Sequence, residues 1–283
     1  DGMGAHAAGE LASKLATDVV PLSYDKLVDR PPHEALVAAI QDANSQIHAR
    51  GAASPELHGM GTTVSALVLL PQGAITAHVG DSRVYLIRQN QVVQLTEDHS
   101  LVNELIRHGK VTRESLASSP YASYKNAVTR ALGVYETTQV DTVDLDVLPG
   151  DQFLICSDGL HAYLQDKDIL GFLTEAHVTV IPQMLVDHAN QGGGHDNITA
   201  IILRVGQDTT DAGQARTQEL NRKVEVLRQM PLFRHLTYKE ILRVLSVTQV
   251  ADFAAGDEIL REGEPGDDLF IVLKGKVRLH KDG

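Results

Sequence analysis

Four short turns carry carboxylates beside glycine or asparagine: Asp1-Gly2, Gly80-Asp81-Ser82, Asp158-Gly159 and Asp196-Asn197. Carboxylate oxygens are the ligands that hard divalent cations such as Mg²⁺ and Mn²⁺ prefer, and these ions keep several waters. Glycines beside them let backbone come close. If such turns met, a carboxylate bridging two ions would make the two-metal arrangement that activates water and neutralises a phosphoryl group. Asp-Gly is also a common structural turn, so spacing alone leaves both readings open. A rival chemistry is nucleophilic. The stretch 151-DQFLICSDGLHAYL-164 holds the only cysteine, Cys156, and Ser157, both beside Asp158. Cys156 ends a short apolar run and reads as core filler in a strand buried on both faces. No Arg follows closely enough to hold a phosphate for a thiolate. Ser157 lacks the flanking glycines of a nucleophile elbow. Asp158 is left to carry the chemistry.

The elements that must position these turns follow from periodicity. Residues 7–20 and 33–50 read as helices, the second with Leu36, Ala39, Ile40, Ala43 and Ile47 at helical spacing after Pro31-Pro32. Thr62–Leu70, Ala74–Val79, Arg83–Arg88 and Gln91–Leu95 are short β-rich runs that predict an antiparallel meander, with Gly80-Asp81 joining two of its strands. Residues 99–109 return to a helical pattern, and 112–125 show no period. Thr138–Val147 alternates and is expected to pair with 152–157 across Pro149-Gly150. Helices follow over 166–174 and 180–190, then a strand over Asn197–Val205. The polar stretch 206–216 reads as a linker, and 217–229 as a bridging helix. A helix over 237–246 then leads into short strands with Gly256, Gly263, Gly266 and Gly275 at turns. The pattern is mixed α+β with antiparallel sheets, not the alternating βαβ of a parallel sheet.

Composition narrows the function. The formal charge is −12, and residues 234–283 are nearly neutral, so the excess lies before them. An acidic domain repels a phosphate backbone, which argues against nucleic acid as a partner. No apolar run approaches a membrane span and no signal-peptide pattern opens the chain, so no membrane partner is expected. One cysteine excludes a disulfide framework and fits the reducing cytoplasm.

Five ordered motifs carry a family resemblance: Asp1-Gly2-Met3-Gly4-Ala5-His6-Ala7-Ala8-Gly9-Glu10, Gly61-Thr62-Thr63, Val79-Gly80-Asp81-Ser82-Arg83, Ser157-Asp158-Gly159-Leu160 and Gly194-His195-Asp196-Asn197-Ile198-Thr199. Together they closely resemble the bacterial metal-dependent protein phosphatases (PPM, or type 2C), over residues 1 to about 205. The resemblance implies two antiparallel sheets packed as a sandwich, with helices on both outer faces and two Mn²⁺ or Mg²⁺ ions at one end. It implies hydrolysis of phosphoserine and phosphothreonine in proteins, including those of a cognate Ser/Thr kinase. By position, Asp1 would bridge the ions, the Gly2 carbonyl would ligate one, and Asp158 and Asp196 would complete the other. Asp81 with Asp158 resembles a looser third-metal site. The nucleophile would be water bridging the ions, with no covalent phosphoenzyme. The alternatives are a non-catalytic regulator that keeps the fold and binds a phosphoprotein or metal, and a hydrolase of small phosphoesters.

Departures from the family pattern are specific. Its first motif, with an acidic ligand and a phosphate-binding Arg, would lie upstream of Asp1, which reads as the middle of a longer sequence. Asp1 should then end an interior strand, and polypeptide 1–283 alone should be marginally stable and weakly active. Met3 stands where many eukaryotic members have a candidate acid His, and Ala162 where many have a third-metal Asp. His99 opens a segment matching the flap of bacterial relatives and is assigned a surface or packing role, not catalysis. Arg83 and Arg130 are assigned structural ion pairs. His6, His161 and His195 are expected to stand behind the ligands. From about residue 230, Phe253–Val277 resembles the opening strands of a cyclic-nucleotide-binding domain, a small β-roll whose phosphate cassette would lie beyond Gly283. The expected domains are 1–205, the phosphatase; 206–229, linker and helix; and 230–283, a partial β-roll. Any cyclic nucleotide would belong to a longer chain, and residues 1–283 alone should not bind one.

Overall fold

The computed structural model describes residues 1–280 apart from Ala5, Gln72, Lys125, Asn126, Ala176, Thr209 and Glu264, and leaves out the side chains of His6, Ala7, Ala117 and Glu175. It divides into two compact units, Asp1–Asp208 and Thr209–Gly283.

In the first unit, strand β1 (Gly2–Met3) runs into helix α1 (His6–Asp25), and α2 (Pro32–Ala53) follows. Ala8, Ala12, Ala16 and Val20 recur every fourth residue along α1. They let it pack closely against Leu36, Ala39, Ile40, Ala43 and Ile47 of α2. Helix α1 continues past its expected end at 20, carrying Pro21 inside it.

Strands β2 (Gly61–Thr62), β3 (Val64–Leu69), β4 (Gly73–Val79), β5 (Arg83–Arg88) and β6 (Gln91–Gln94) come next, then α3 (Leu101–Arg107). Strand β7 (Asp141–Asp146) and β8 (Gln152–Cys156) are followed by α4 (Asp158–His161), α5 (Asp166–Glu175), α6 (Ile181–Gln191) and β9 (Ala200–Arg204). Every pairing is antiparallel: β1 with β2, a sheet β3-β4-β7, and a sheet β6-β5-β8-β9.

Alternation shows how these sheets are covered. Ile75, Ala77 and Val79 of β4 face α1 and α2, whereas Tyr85, Ile87, Leu154 and Cys156 face α5 and α6. The opposite faces, with Ala74, Thr76, His78, Val143 and Leu145 on one sheet and Val84, Leu86, Arg88 and Phe153 on the other, are buried too. Two sheets therefore pack face to face between helical layers.

Two expectations about strand neighbours need correction. The Gly80-Asp81-Ser82 turn does not join strands of one meander; it carries the chain from the β3-β4-β7 sheet to the other. Nor do 138–147 and 152–157 form a hairpin, because β7 pairs with β4, and β8 with β5 and β9. Asp151 diverts the chain there. It accepts from Leu148 N–H at 2.7 Å, with Gly150 at φ +85°. Arg88 Nε donates to it at 2.8 Å, and the same guanidinium bonds the Asp146 carbonyl at 2.6 Å. Between α3 and β7, the stretch without a period forms two short 3-10 turns, Leu116–Ser118 and Ala122–Tyr124.

In the second unit, α7 (Asp211–Gln229) takes up much of the expected linker, since Thr210 caps its start by accepting from Gly213 N–H. Helix α8 (Tyr238–Ser246) begins with a capping box, Thr237 with Glu240. Val224, Leu227 and Ile241 form a small core. The strands expected beyond α8 are not formed among the described residues, and Phe253, Leu260, Phe270 and Leu279 are exposed. The glycines do turn the chain, with Gly256, Gly263 and Gly275 at positive φ, but no partner strand pairs the backbone between them. No helix among the described residues is long and apolar enough to cross a membrane.

Candidate metal centre

Asp1 is fixed through its carbonyl, which accepts from Thr63 N–H at 2.8 Å and from Thr62 Oγ1 at 2.7 Å. Gly2 must be glycine because a methyl group there would lie 2.0 Å from the Gly9 carbonyl of α1. The charges of Asp158, Asp81 and Asp196 all act at the backbone nitrogen of Asp1. The four predicted acidic residues thus share one electrostatic neighbourhood.

Asp158 and Asp196 are joined by a backbone clasp. Ser157 Oγ donates to Asn197 O at 3.1 Å and accepts from Thr199 N–H at 3.0 Å, and Ser157 N–H donates to Thr199 O at 3.2 Å. A methyl group on Gly159 would come within 2.4 Å of Asn197 O. Ser157 is therefore a staple with both lone pair and proton committed. Burial pushes the Cys156 thiol up to about 12, so it carries no thiolate at neutral pH.

Asp81 sits on a turn held at each carbonyl. His99 N–H donates to Gly80 O at 2.9 Å, His161 Nε2 lies 3.0 Å from Asp81 O, and Ser65 Oγ donates to Ser82 O at 2.8 Å. Burial, then the charges of Asp158 and Asp98, push the Asp81 carboxyl up to about 6. One oxygen of Asp81 and one of Asp158 are buried without a hydrogen-bond partner. Negative charges gathered in this way, with acceptor atoms left unanswered, fit a hard cation bound through oxygen.

A second group, His78, His99 and Asp141, brings three potential ligand atoms within 4.8 Å of one another. Its positive charge is already supplied. Arg130 Nη1 lies 2.8 Å from Asp141 Oδ1 and 3.1 Å from His99 Nε2, where a cation would have to sit.

Arg83 makes the ion pair expected of it, with Asp98 at 2.6 Å, as Arg130 does with Asp141. His195 is exposed, its N–H donating to Tyr163 OH at 3.4 Å, and the His6 side chain lies outside the described residues. Met3 is half-buried, and Ala162 caps the short α4. Sequence reasoning missed the bonds of His99 and His161 to the Asp81 turn; the nearest signal was Asp98-His99-Ser100 directly after a strand.

The sequence matches the Protein phosphatase 2C family over residues 1–192. Serine/threonine phosphatase stp of Listeria welshimeri is 36% identical over 208 residues, covering 72% of this chain and 81% of that protein. Serine/threonine protein phosphatase PstP of Mycobacterium tuberculosis is 35% identical over 223 residues, covering 78% of this chain and 41% of PstP. A solved structure of the PstP catalytic domain with two manganese ions superposes with a TM-score of 0.63 at 34% identity, covering 72% of this chain and 85% of that one. A crystal structure of M. tuberculosis PstP gives 0.65 at 34% identity, covering 74% and 86%. Motifs, fold and carboxylate neighbourhood agree, and the chain belongs to the protein phosphatase 2C family.

Proposed function

We propose that this chain hydrolyses phosphoserine and phosphothreonine in proteins at the site of Asp1, Asp158 and Asp196. The observation that carries the reading is the convergence of acidic side chains with two buried carboxylate oxygens left unpartnered. Asp1 and the Gly2 carbonyl would hold one Mn²⁺ or Mg²⁺, Asp1, Asp158 and Asp196 the other, and Asp81 with Asp158 a looser third. Ions held there supply Lewis acidity, lowering the pKa of bound water and neutralising the phosphoryl group. The chain's own part is to hold the carboxylates in place and aim them. The Ser157 clasp spaces Asp158 from Asp196, and the Thr62–Thr63 bonds fix Asp1. Neither Cys156 nor Ser157 competes as a nucleophile, the first being protonated and the second committed.

The test is a phosphopeptide assay with Mn²⁺, with EDTA, and with Asp158→Ala or Asp196→Ala. Activity should require the metal and fall by two orders of magnitude or more in either variant. Turnover that survives EDTA, or survives Asp158→Ala, would sink the reading. A parallel assay on a nucleotide monophosphate separates a protein phosphatase from a hydrolase of small phosphoesters.

Three further assignments belong to the same proposal. Residues 1–205 form the catalytic domain, and its substrates include those of a cognate Ser/Thr kinase in a bacterial cytoplasm, in keeping with one free, buried cysteine. Residues 206–229 connect it to 230–283, the opening of a regulatory module resembling a cyclic-nucleotide-binding domain. That last assignment is supported by Phe253–Val277 in the sequence alone.

A further inference from the structure

We propose that His99 is a positioning residue for the metal centre, fastening the Gly80–Asp81 turn, and with it the Asp81 carboxylate, to the start of β7 and to the backbone at Thr129. The proposal rests on the reading of Asp81 as a cation ligand. His99 and Gly80 are bonded reciprocally. Gly80 N–H donates to His99 Nδ1 at 3.0 Å, and His99 N–H donates to Gly80 O at 2.9 Å. The His99 carbonyl accepts from Thr129 N–H at 2.7 Å. Nε2 lies 3.3 Å from Asp141 Oδ2 and 3.1 Å from Arg130 Nη1; with Nδ1 accepting from Gly80, the neutral ring carries its proton on Nε2 and directs it to the carboxylate. Arg130 holds the other Asp141 oxygen at 2.8 Å, and His78 stacks on the ring with centroids 4.7 Å apart. Only 4% of the His99 side chain is exposed, so water cannot replace these bonds.

The turn needs this anchor. Gly80 lies one residue past β4, at φ +110°, and a methyl group there would meet the Thr63 side chain at 2.5 Å. Its amide therefore has no strand partner and depends on the imidazole, one residue before the carboxylate that must be aimed. His99 differs from a space-filling aromatic in that each ring nitrogen has its own task, and the two tasks can be separated. In His99→Asn the amide oxygen falls near the Nδ1 position and keeps the Gly80 bond. In His99→Gln the amide reaches the Nε2 position, keeps a donor for Asp141, and leaves the Gly80 amide unanswered.

The experiment uses the full chain. Hydrogen exchange over residues 77–84 is measured without metal, and Mn²⁺ binding by calorimetry, for the unaltered protein, Asp81→Asn, His99→Asn and His99→Gln. His99→Gln should speed Gly80 exchange by about tenfold and weaken the weakest Mn²⁺ step by about tenfold, or ~1.4 kcal/mol. Asp81→Asn should weaken the same Mn²⁺ step. His99→Asn should stay within about twofold of the unaltered protein in both. Equal impairment by Asn and Gln, or none by Gln, overturns the proposal. If exchange responds as expected while Asp81→Asn leaves Mn²⁺ binding unchanged, the anchoring role stands and the assignment of Asp81 as a ligand fails. Should His99→Gln melt early, its exchange is compared with that of His99→Asn well below the melting midpoint of either; equal Gly80 exchange in the two overturns the anchor.

Discussion

Gly159→Ala tests whether the carboxylate turns are spaced by backbone contact. The added methyl group would start 2.4 Å from Asn197 O, and contacts below 3.0 Å are essentially never seen, so the two turns must part by about 0.6 Å. The Gly159 backbone fixes where the methyl group lies, Asn197 O is itself backbone, and Ser157 ties the same segments together, so the strain cannot be absorbed by a side-chain rotation. Metal ligation tolerates only ~0.2 Å. Displacing Asp158 from Asp196 by several times that amount should cost about 10–100-fold in Mn²⁺ affinity, the range found when groups that orient ligands are altered. Calorimetric Mn²⁺ titration and phosphopeptide turnover measure the loss. Gly171→Ala is the control, because a methyl group there meets nothing within 4 Å and the residue lies inside α5. It should leave both readouts unchanged and hold or slightly raise Tm. If Gly159→Ala binds Mn²⁺ and turns over like the unaltered chain, contact between these turns does not set the site's geometry.

Arg88→Met should destabilise the first unit by about 3–5 kcal/mol, because Asp151, only 2% exposed, would be left as a buried charge without its guanidinium. Thermal melts should drop by on the order of 10 °C, and Arg88→Met/Asp151→Leu should recover part of the loss; a drop under about 3 °C in the single variant contradicts the clamp. Cys156 should resist iodoacetamide in the native state at pH 8.5 and react once urea unfolds the chain. Its folded pKa of about 12 lies above the ordinary value of 9.0, so the linked stability is full below pH 9 and lost as pH rises through 12. Rapid native alkylation would show that the thiol is neither buried nor raised. Cys156→Ser should retain turnover.

The carboxylate turns were readable because their chemistry is local. Gly2, Gly80 and Gly159 are required by approaches of 2.0 to 2.5 Å that no other residue type permits, so they stand in the sequence beside the acids they serve. Strand partners were not readable in the same way. The alternation of Val143 and Leu145 with Thr142 and Asp144 shows a one-sided strand but does not say which neighbour it pairs with. Arg88 and Asp151, 63 residues apart, decide that question through a buried ion pair that leaves no periodic trace. His99 was assigned a surface or packing role for the same reason. A buried, neutral imidazole has the sequence signature of core, and its bonds to Gly80 and Asp141 exist only once three segments meet.

The crossing of the chain between sheets at Gly80-Asp81-Ser82 has a kinetic consequence. Strand β4 on one side of that turn pairs with β7, Gly73 opposite Asp146, while β5 on the other side pairs with β8, Arg83 opposite Cys156. Both pairings close loops of about 70 residues, which is entropically costly before any contact rewards it. The β5–β8 register carries Asp81 and Asp158 together, two residues beyond the Arg83–Cys156 pair, but Asp1 is held by Thr62 and Thr63, outside that sheet. The complete cation site, Asp1 included, should therefore form only once both parts are in place. A divalent ion then acts on the native state alone, slowing unfolding and raising apparent stability by mass action, without speeding the search that precedes it.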